Sequence, residues 1–210
     1  MADDLVLYTN PMSRGRIARW MLEEVGRPYR TEVLDYAAVK RPEFLAVNPM
    51  GKVPALRHGD QTVTEGAAIC AYLADAFPDA GLAPPLGDPA RAPYFRWLFF
   101  ASGPLEHAIT NANLGVVVPP EKRRMAGYGG DLAPVLDVLE SAVDGRRYIA
   151  GERFSAADVY VGSQIGFGLR FGTIDARPAF ADYFAGLSSR PAYARAAELD
   201  DAAMAAMATG

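Results

Sequence analysis

Three stretches of the sequence bring together residue types that can hold and activate an anion. In Tyr8-Thr-Asn-Pro-Met-Ser13-Arg14 a strand-like run ends and a helix begins. The first turn of a helix carries unsatisfied N–H groups and a partial positive charge, which stabilise an anion such as a thiolate. A serine hydroxyl at that place can donate one more hydrogen bond to it. Ser13 equally suits a plain N-cap, and the corner alone does not choose between the two. The corner holds no cysteine, so disulfide exchange there is not expected. The second stretch, Asn48-Pro-Met-Gly-Lys52-Val53-Pro54-Ala-Leu56, opens a strand with a valine–proline pair. A cis bond there turns the Val53 N–H and C=O outward, free to pair with an extended peptide as an added strand. A trans proline at a strand edge is the ordinary alternative. The third stretch, Thr64-Glu65-Gly66-Ala-Ala-Ile69, starts another helix. Free N–H groups there can hold a carboxylate, and Glu65 can bind an ammonium, so one site would recognise both ends of an α-amino acid. Glu65 can also simply complement the helix dipole.

The elements that must position these stretches follow from pattern and punctuation. Leu5 to Tyr8 reads as a strand ended by Asn10-Pro11. From Ser13, the residues Ile17, Met21 and Val25 fall on one helical face until Gly26 stops it. Pro28 to Asp35 reads as a strand and Arg41 to Val47 as a short helix. Val53 to Arg57 and Thr62 to Thr64 read as strands joined through His58-Gly59-Asp60. Glu65 to Phe77 is a helix, apolar nearly all round, which predicts burial. The order is β-α-β-α-β-β-α, a compact α/β unit over residues 1–83. A linker at about 78–93 follows, with five prolines and two glycines. Residues 88–210 then read as all-helical. Asp88-Pro89 opens an aromatic-rich helix that Pro104 should kink near Phe100. A second helix is predicted from about Pro120 through Leu139. Ser155-Ala-Ala-Asp158 is a capping-box variant, with Phe154 and Val159 as the hydrophobic staple. Two short helices follow from Pro178, separated near Arg190-Pro191, and the Ala/Met-rich stretch Ala202–Ala208 is expected to fray.

Composition narrows the function classes. Half of the residues are hydrophobic and 22% are charged, which suits a chain that buries a core. A net charge of −4 gives no basic stripe for nucleic acid. No apolar run of about 18 residues exists to span a membrane. The acidic start Met-Ala-Asp-Asp is not expected to be a leader. One cysteine, Cys70, excludes an intramolecular disulfide and suits a reducing cytoplasm. With two histidines and one cysteine far apart, no metal site of that type is expected.

Taken in order and spacing, these motifs resemble the glutathione transferase family over nearly the whole chain. The resemblance rests on the Ser13 corner, Asn48-Pro-x-Gly-Lys-Val-Pro-Ala-Leu56, Glu65-Gly-Ala-Ala-Ile-Cys-Ala-Tyr-Leu73 and Phe154-Ser-Ala-Ala-Asp158. It implies a thioredoxin-like N-terminal domain and a helical-bundle C-terminal domain. It implies a detoxifying transferase whose co-substrate is glutathione and whose other substrate is a small hydrophobic electrophile. The enzyme would be a cytoplasmic homodimer needing no metal, nucleic acid or membrane. By position, Ser13 resembles the thiolate-stabilising serine of theta-like classes and many bacterial members. Val53, before the family's cis-proline, would pair through its backbone with the cysteinyl part. Glu65 and Gly66 would hold the γ-glutamyl end, and Lys52, with Lys40, the glycyl carboxylate. Ser155 and Asp158 would be structural. The electrophile is expected between the corner and the kinked helix, with Tyr94, Phe99 and Phe100 as candidate walls and Asn111 and Asn113 adding polarity.

Two departures stand out. The family usually has serine where Gly66 stands, and a lost hydrogen bond to a charged group costs roughly 1.5–3 kcal/mol. Tyr8 lies near the catalytic tyrosine of other classes, but aligning on Arg14-Gly-Arg16 leaves it two residues early, so Tyr8 is assigned to the core. The competing functions are a non-catalytic binding or regulatory protein on the same fold, or a glutathione-dependent isomerase, dehalogenase or etherase.

Overall fold

Hydrophobic alternation and short breakers produce a four-stranded sheet in the computed structural model, which describes residues 4–209. The first three residues of the acidic start lie outside them. The sheet is built from β1 (Leu5–Thr9), β2 (Arg30–Val33), β3 (Ala55–His58) and β4 (Gln61–Thr64) in the order β2-β1-β3-β4. β1 and β2 are parallel; β1–β3 and β3–β4 are antiparallel. The helices between them are α1 (Gly15–Val25), the one-turn α2 (Pro42–Leu45) after a tight turn at Ala38–Lys40, and α3 (Gly66–Ala76). The expected β-α-β-α-β-β-α order is the observed one, in a thioredoxin-like arrangement.

Leu5, Val6, Leu7, Ile17, Met21, Leu22, Leu56, Ile69 and Leu73 form the buried centre of this unit. Gly26 ends α1 in the left-handed conformation, its N–H bonded to the Leu22 carbonyl. Helix α3 departs from the expectation of all-round burial. Ile69, Cys70, Leu73 and Ala74 are buried, while Ala68 is exposed. Its packing partners cover one face only. His58 ties the β3–β4 turn to this helix, bonding the Tyr72 hydroxyl at 2.8 Å and stacking on Phe77.

The chain divides into two compact units, and the division differs from the expected 1–83 and 88–210. Residues up to Leu82 group with those from Ser189 onward, and Ala83–Ser188 form the other unit. The last helix, α9 (Pro191–Thr209), packs on α1. It continues through the Ala/Met-rich stretch that was expected to fray.

The second unit is helical: α4 (Arg91–Phe100), α5 (Glu106–Asn113), α6 (Leu132–Val143), α7 (Ala156–Phe171) and α8 (Pro178–Ser188). Pro104 has no N–H to offer the Phe100 carbonyl, and the chain absorbs the loss in a π turn at Ala101–Leu105 between α4 and α5. Helix α4 begins two residues after Pro89, because Asp88 caps a preceding turn through the Ala90 N–H. The helix predicted from Pro120 to Leu139 is two pieces. A 3₁₀ stretch at Pro120–Met125 is separated from α6 by a glycine-rich break in which Gly129 and Gly130 have positive φ. No helix among the described residues is long and apolar enough to cross a membrane.

Candidate functional site

Strand register gathers the three chemical stretches at one end of the sheet. Tyr8 pairs with Ala55, and Ala55 pairs with Thr64. One or two residues beyond this cross-strand row lie the corner after Thr9, the Val53–Pro54 pair and Glu65. The placement follows from pairing alone, since neighbouring strands lie about 4.8 Å apart.

At the corner, Asn10 is fully buried and organises the turn. Its amide donates to the Leu34 carbonyl at 2.8 Å and its Oδ1 accepts the Met12 N–H at 2.8 Å. Ser13 is half-buried. Its Oγ donates to the Asn10 carbonyl at 2.7 Å and accepts the Gly15 N–H at 2.9 Å. The Asn10 carbonyl also receives the Ser13 N–H at 3.0 Å, so the hydroxyl is its second donor. Gly15 is required sterically, because a Cβ there would collide with the Thr9 side chain. Tyr8 packs against Phe44 with ring centroids 5.8 Å apart, beside Val39 and Ala55, the core role assigned to it.

The second stretch repeats the corner's turn chemistry. Asn48 Oδ1 accepts the Met50 N–H at 3.1 Å, and its amide donates to the Lys52 carbonyl at 2.7 Å. Gly51 takes φ +59° where a Cβ would press on the Val39 carbonyl. Lys40 Nζ donates to the Gly51 carbonyl at 3.1 Å, holding the loop that presents the exposed Lys52. The Val53–Pro54 bond is cis. Among the described residues the Val53 N–H and C=O have no partner within the chain. Neither Asn10 nor Asn48 was singled out from sequence. The signal was present in the repeated Asn-Pro-Met, since asparagine closes such turns on the N–H two residues ahead.

At the third stretch, Glu65 is the one non-glycine with positive φ among the described residues, at 64°. It is exposed and caps α3 by backbone only. A side chain held in a sparsely populated conformation at a helix start is the kind of strain that collects at binding sites. Gly66 begins the helix beside it.

The comparisons bear on what such a row is for. Residues 12–76 match the family model described as glutathione S-transferase, N-terminal domain. Glutathione S-transferase 3 of Zea mays is 31% identical over 90% of this chain and 91% of its own. The chain belongs to the glutathione S-transferase family. Glutathione S-transferase GstA of Escherichia coli O157:H7 is 35% identical over 74% of this chain and 78% of its own. A sphingomonad glutathione S-transferase solved in complex with glutathione is 31% identical. It superposes with a TM-score of 0.76, covering 93% of this chain and 98% of that one.

The transferase's remaining candidates lie in the helical unit. Tyr94, offered as a wall for the electrophile, is instead fully buried, because α4 turns it into the helical core. Phe99 is 70% exposed. Phe100 is half-buried, edge-on to Trp97. The Asn111 amide donates to the Tyr128 hydroxyl at 2.9 Å. The Asn113 amide donates to the carbonyl of Ile109, on its own helix, at 2.8 Å. Ser155 and Asp158 form a closed network. Asp158 Oδ2 accepts the Ser155 N–H and hydroxyl, and its Oδ1 accepts the Ile149 N–H and the Tyr183 hydroxyl at 2.7 Å. Burial raises the Asp158 carboxyl above its ordinary range, against these bonds. Cys70 is buried in α3, and burial pushes its thiol up, so it is a core residue. Among the described residues no cluster of three or more His, Cys, Asp or Glu is arranged to hold a metal.

Proposed function

We propose that this protein adds the thiolate of glutathione to a small hydrophobic electrophile, with Ser13 stabilising the thiolate as in serine-type, theta-like bacterial members. The observation that carries the reading is the row Tyr8–Ala55–Thr64, which aligns the corner, Val53 and Glu65. It spans two strand spacings, roughly 10 Å, close to the length of three extended residues. The γ-glutamyl end would sit at Glu65 and the Gly66 N–H, and the cysteinyl unit would pair with Val53. The glycyl carboxylate would meet Lys52, with Lys40 beside it. The relative solved with glutathione supports the choice of tripeptide.

A free thiol has a pKa of about 8.5 and is mostly protonated at neutral pH. The N-terminus of α1 and one hydroxyl donor would lower it. In the structure that hydroxyl donates to the Asn10 carbonyl. Turning it to the thiolate leaves the Asn10 carbonyl still bonded to the Ser13 N–H, and the Gly15 N–H still bonded to Oγ. The sulfur would then be held against the electrophile. A cytoplasmic homodimer belongs to the same proposal, and sedimentation of the purified protein checks the dimer.

Retention on immobilised glutathione, together with turnover of a generic electrophile, tests the whole. Binding without turnover would favour a regulatory protein, and product analysis over an electrophile panel separates conjugation from isomerisation, dehalogenation and ether cleavage. For the residue itself, Ser13→Ala should raise the pKa of the bound thiol. An unchanged pKa with unchanged turnover would remove Ser13 from the mechanism.

A further inference from the structure

Helix α1 leaves the corner carrying a series of contacts to the C-terminal segment, in antiparallel order. Arg16 meets Asp201 at 2.7 Å, and Arg19 meets Asp200 at 2.8 Å. Trp20 is edge-on to Tyr193 with centroids 5.0 Å apart. Glu24 receives two nitrogens of Arg190 at 2.6 and 2.7 Å. Arg16 and Arg19 are three residues apart, so they share a helix face, and they engage adjacent aspartates on α9. The Arg19–Asp200 pair is buried, its side chains 4% and 1% exposed. Setting Leu199 in the place of Asp200 would strand the buried Arg19 charge, which is strongly destabilising, and a slide the other way would still part Arg190 from Glu24 and Tyr193 from Trp20. These contacts together fix the register of α9 on α1.

That register sets Asp201 opposite Arg16, whose planar guanidinium works in two directions. Its Nε donates to the Pro11 carbonyl at 2.6 Å, and its Nη2 donates to Asp201 at 2.7 Å. Pro11 lies between Asn10, which holds Ser13, and Met12, which Asn10 holds in turn. Asp201 itself is 60% exposed, so the ion pair adds little to stability. Its effect is on where the guanidinium points.

We propose that α9 positions the Ser13 corner: Asp201 holds Arg16 at the angle from which it grips the Pro11 carbonyl. Asp201 and Arg16 are thus positioning residues acting on the corner through its backbone. The catalytic consequence rests on the reading of Ser13 given above; the structural one does not.

The test compares Asp201→Ala and Arg16→Lys with Glu198→Gln, a control on the exposed face of the same helix. Amide exchange at Ser13 and Arg16, which bond within the corner, should quicken several-fold in both variants and not in the control. The unfolding midpoint of Asp201→Ala should stay with the parent. The pKa of bound glutathione should rise and kcat fall several-fold, with KM for glutathione nearly unchanged. Parental exchange at the corner in Asp201→Ala overturns the proposal. If the parent protein binds no glutathione, the Ser13 reading falls, and the exchange result alone decides the clamp. If exchange quickens while thiol pKa and kcat stay parental, the corner is held by α9 but catalysis does not depend on it, and the positioning role is overturned.

Discussion

Ser13 and Ser155 each stand just before a helix, and the two serines are built in differently. Ser155, before α7, is buried, and its N–H and hydroxyl both end on Asp158. Asp158 is in turn filled by Ile149 and Tyr183. Every group has a partner, and removing the Asp158 carboxylate leaves four buried donors without one. Ser13, before α1, is half-buried, and its hydroxyl bonds a carbonyl that already has a donor. One arrangement is closed and suits holding a helix. The other has a hydroxyl that can be redirected without stranding anything, which is what a ligand-binding cap requires.

The largest effect is expected on the closed side. Asp158→Ala orphans two backbone N–H groups and two hydroxyls in a buried place. At about 1–3 kcal/mol for each unsatisfied group, and with partial relaxation, the loss should be about 3–5 kcal/mol in urea unfolding. A loss below that of Ser13→Ala would abolish the contrast. Next comes the binding side. Gly66→Ser supplies a hydroxyl next to Glu65 at the start of α3. It should tighten glutathione by about 1.5–3 kcal/mol, tenfold or more, in calorimetry. Equal affinity would mean that the backbone N–H of residue 66 already does the work.

What could be read from the sequence divides along similar lines. The α/β unit was legible because its strands alternate, its helices are periodic, and Asn-Pro and glycine mark the turns. The site stretches were legible because three short motifs at fixed spacing fall on one row once the strands pair. The helical unit was harder. Helix α4 carries aromatic residues on every side, so its sequence did not say that Tyr94 faces inward and Phe99 outward. Gly127, Gly129 and Gly130 split an apparent single helix whose apolar spacing survives the break. The destination of α9 was not legible either. Arg16 and Arg19 lie outside the Ile17, Met21 and Val25 face read from the sequence, and only tertiary packing shows them gripping Asp201 and Asp200.

A smaller, pH-dependent effect sharpens the contrast. Burial, and then the charge of Asp158, raise the Tyr183 hydroxyl well above its ordinary value of about 10. Above about pH 10 the unfolded chain gives up this proton while the folded chain keeps it. The unfolded state then binds fewer protons, so stability falls with rising pH, by at most about 1.4 kcal/mol per pH unit for one group. The contribution is complete below that pH and is lost as pH climbs toward the folded value. Tyr29, raised by burial and by its bond to Glu23, adds in the same window, and buried Cys70 adds from about pH 8.5. Tyr183→Phe should therefore flatten the alkaline slope above about pH 10 without abolishing it. An identical slope would mean that Tyr183 ionises as freely folded as unfolded.

The smallest stability effect is the one that decides the comparison. Ser13→Ala removes a bond to Asn10 that the Ser13 N–H duplicates, and takes from the N–H of buried Gly15 its side-chain acceptor. Cap losses run about 0.5–2 kcal/mol, and this redundancy places the expected cost at the lower end. Ser155→Ala should cost more, because its hydroxyl is buried and bonded to a carboxylate, even though the Ser155 N–H reaches the same oxygen. Thermal unfolding of the two variants side by side measures the difference. If Ser13→Ala is the costlier, the corner serine is a structural cap like its counterpart. If it is the cheaper in stability yet shifts the bound thiol, the same residue type serves opposite ends at two helix starts, set apart by burial and by whether the acceptor is a neutral carbonyl or a buried carboxylate.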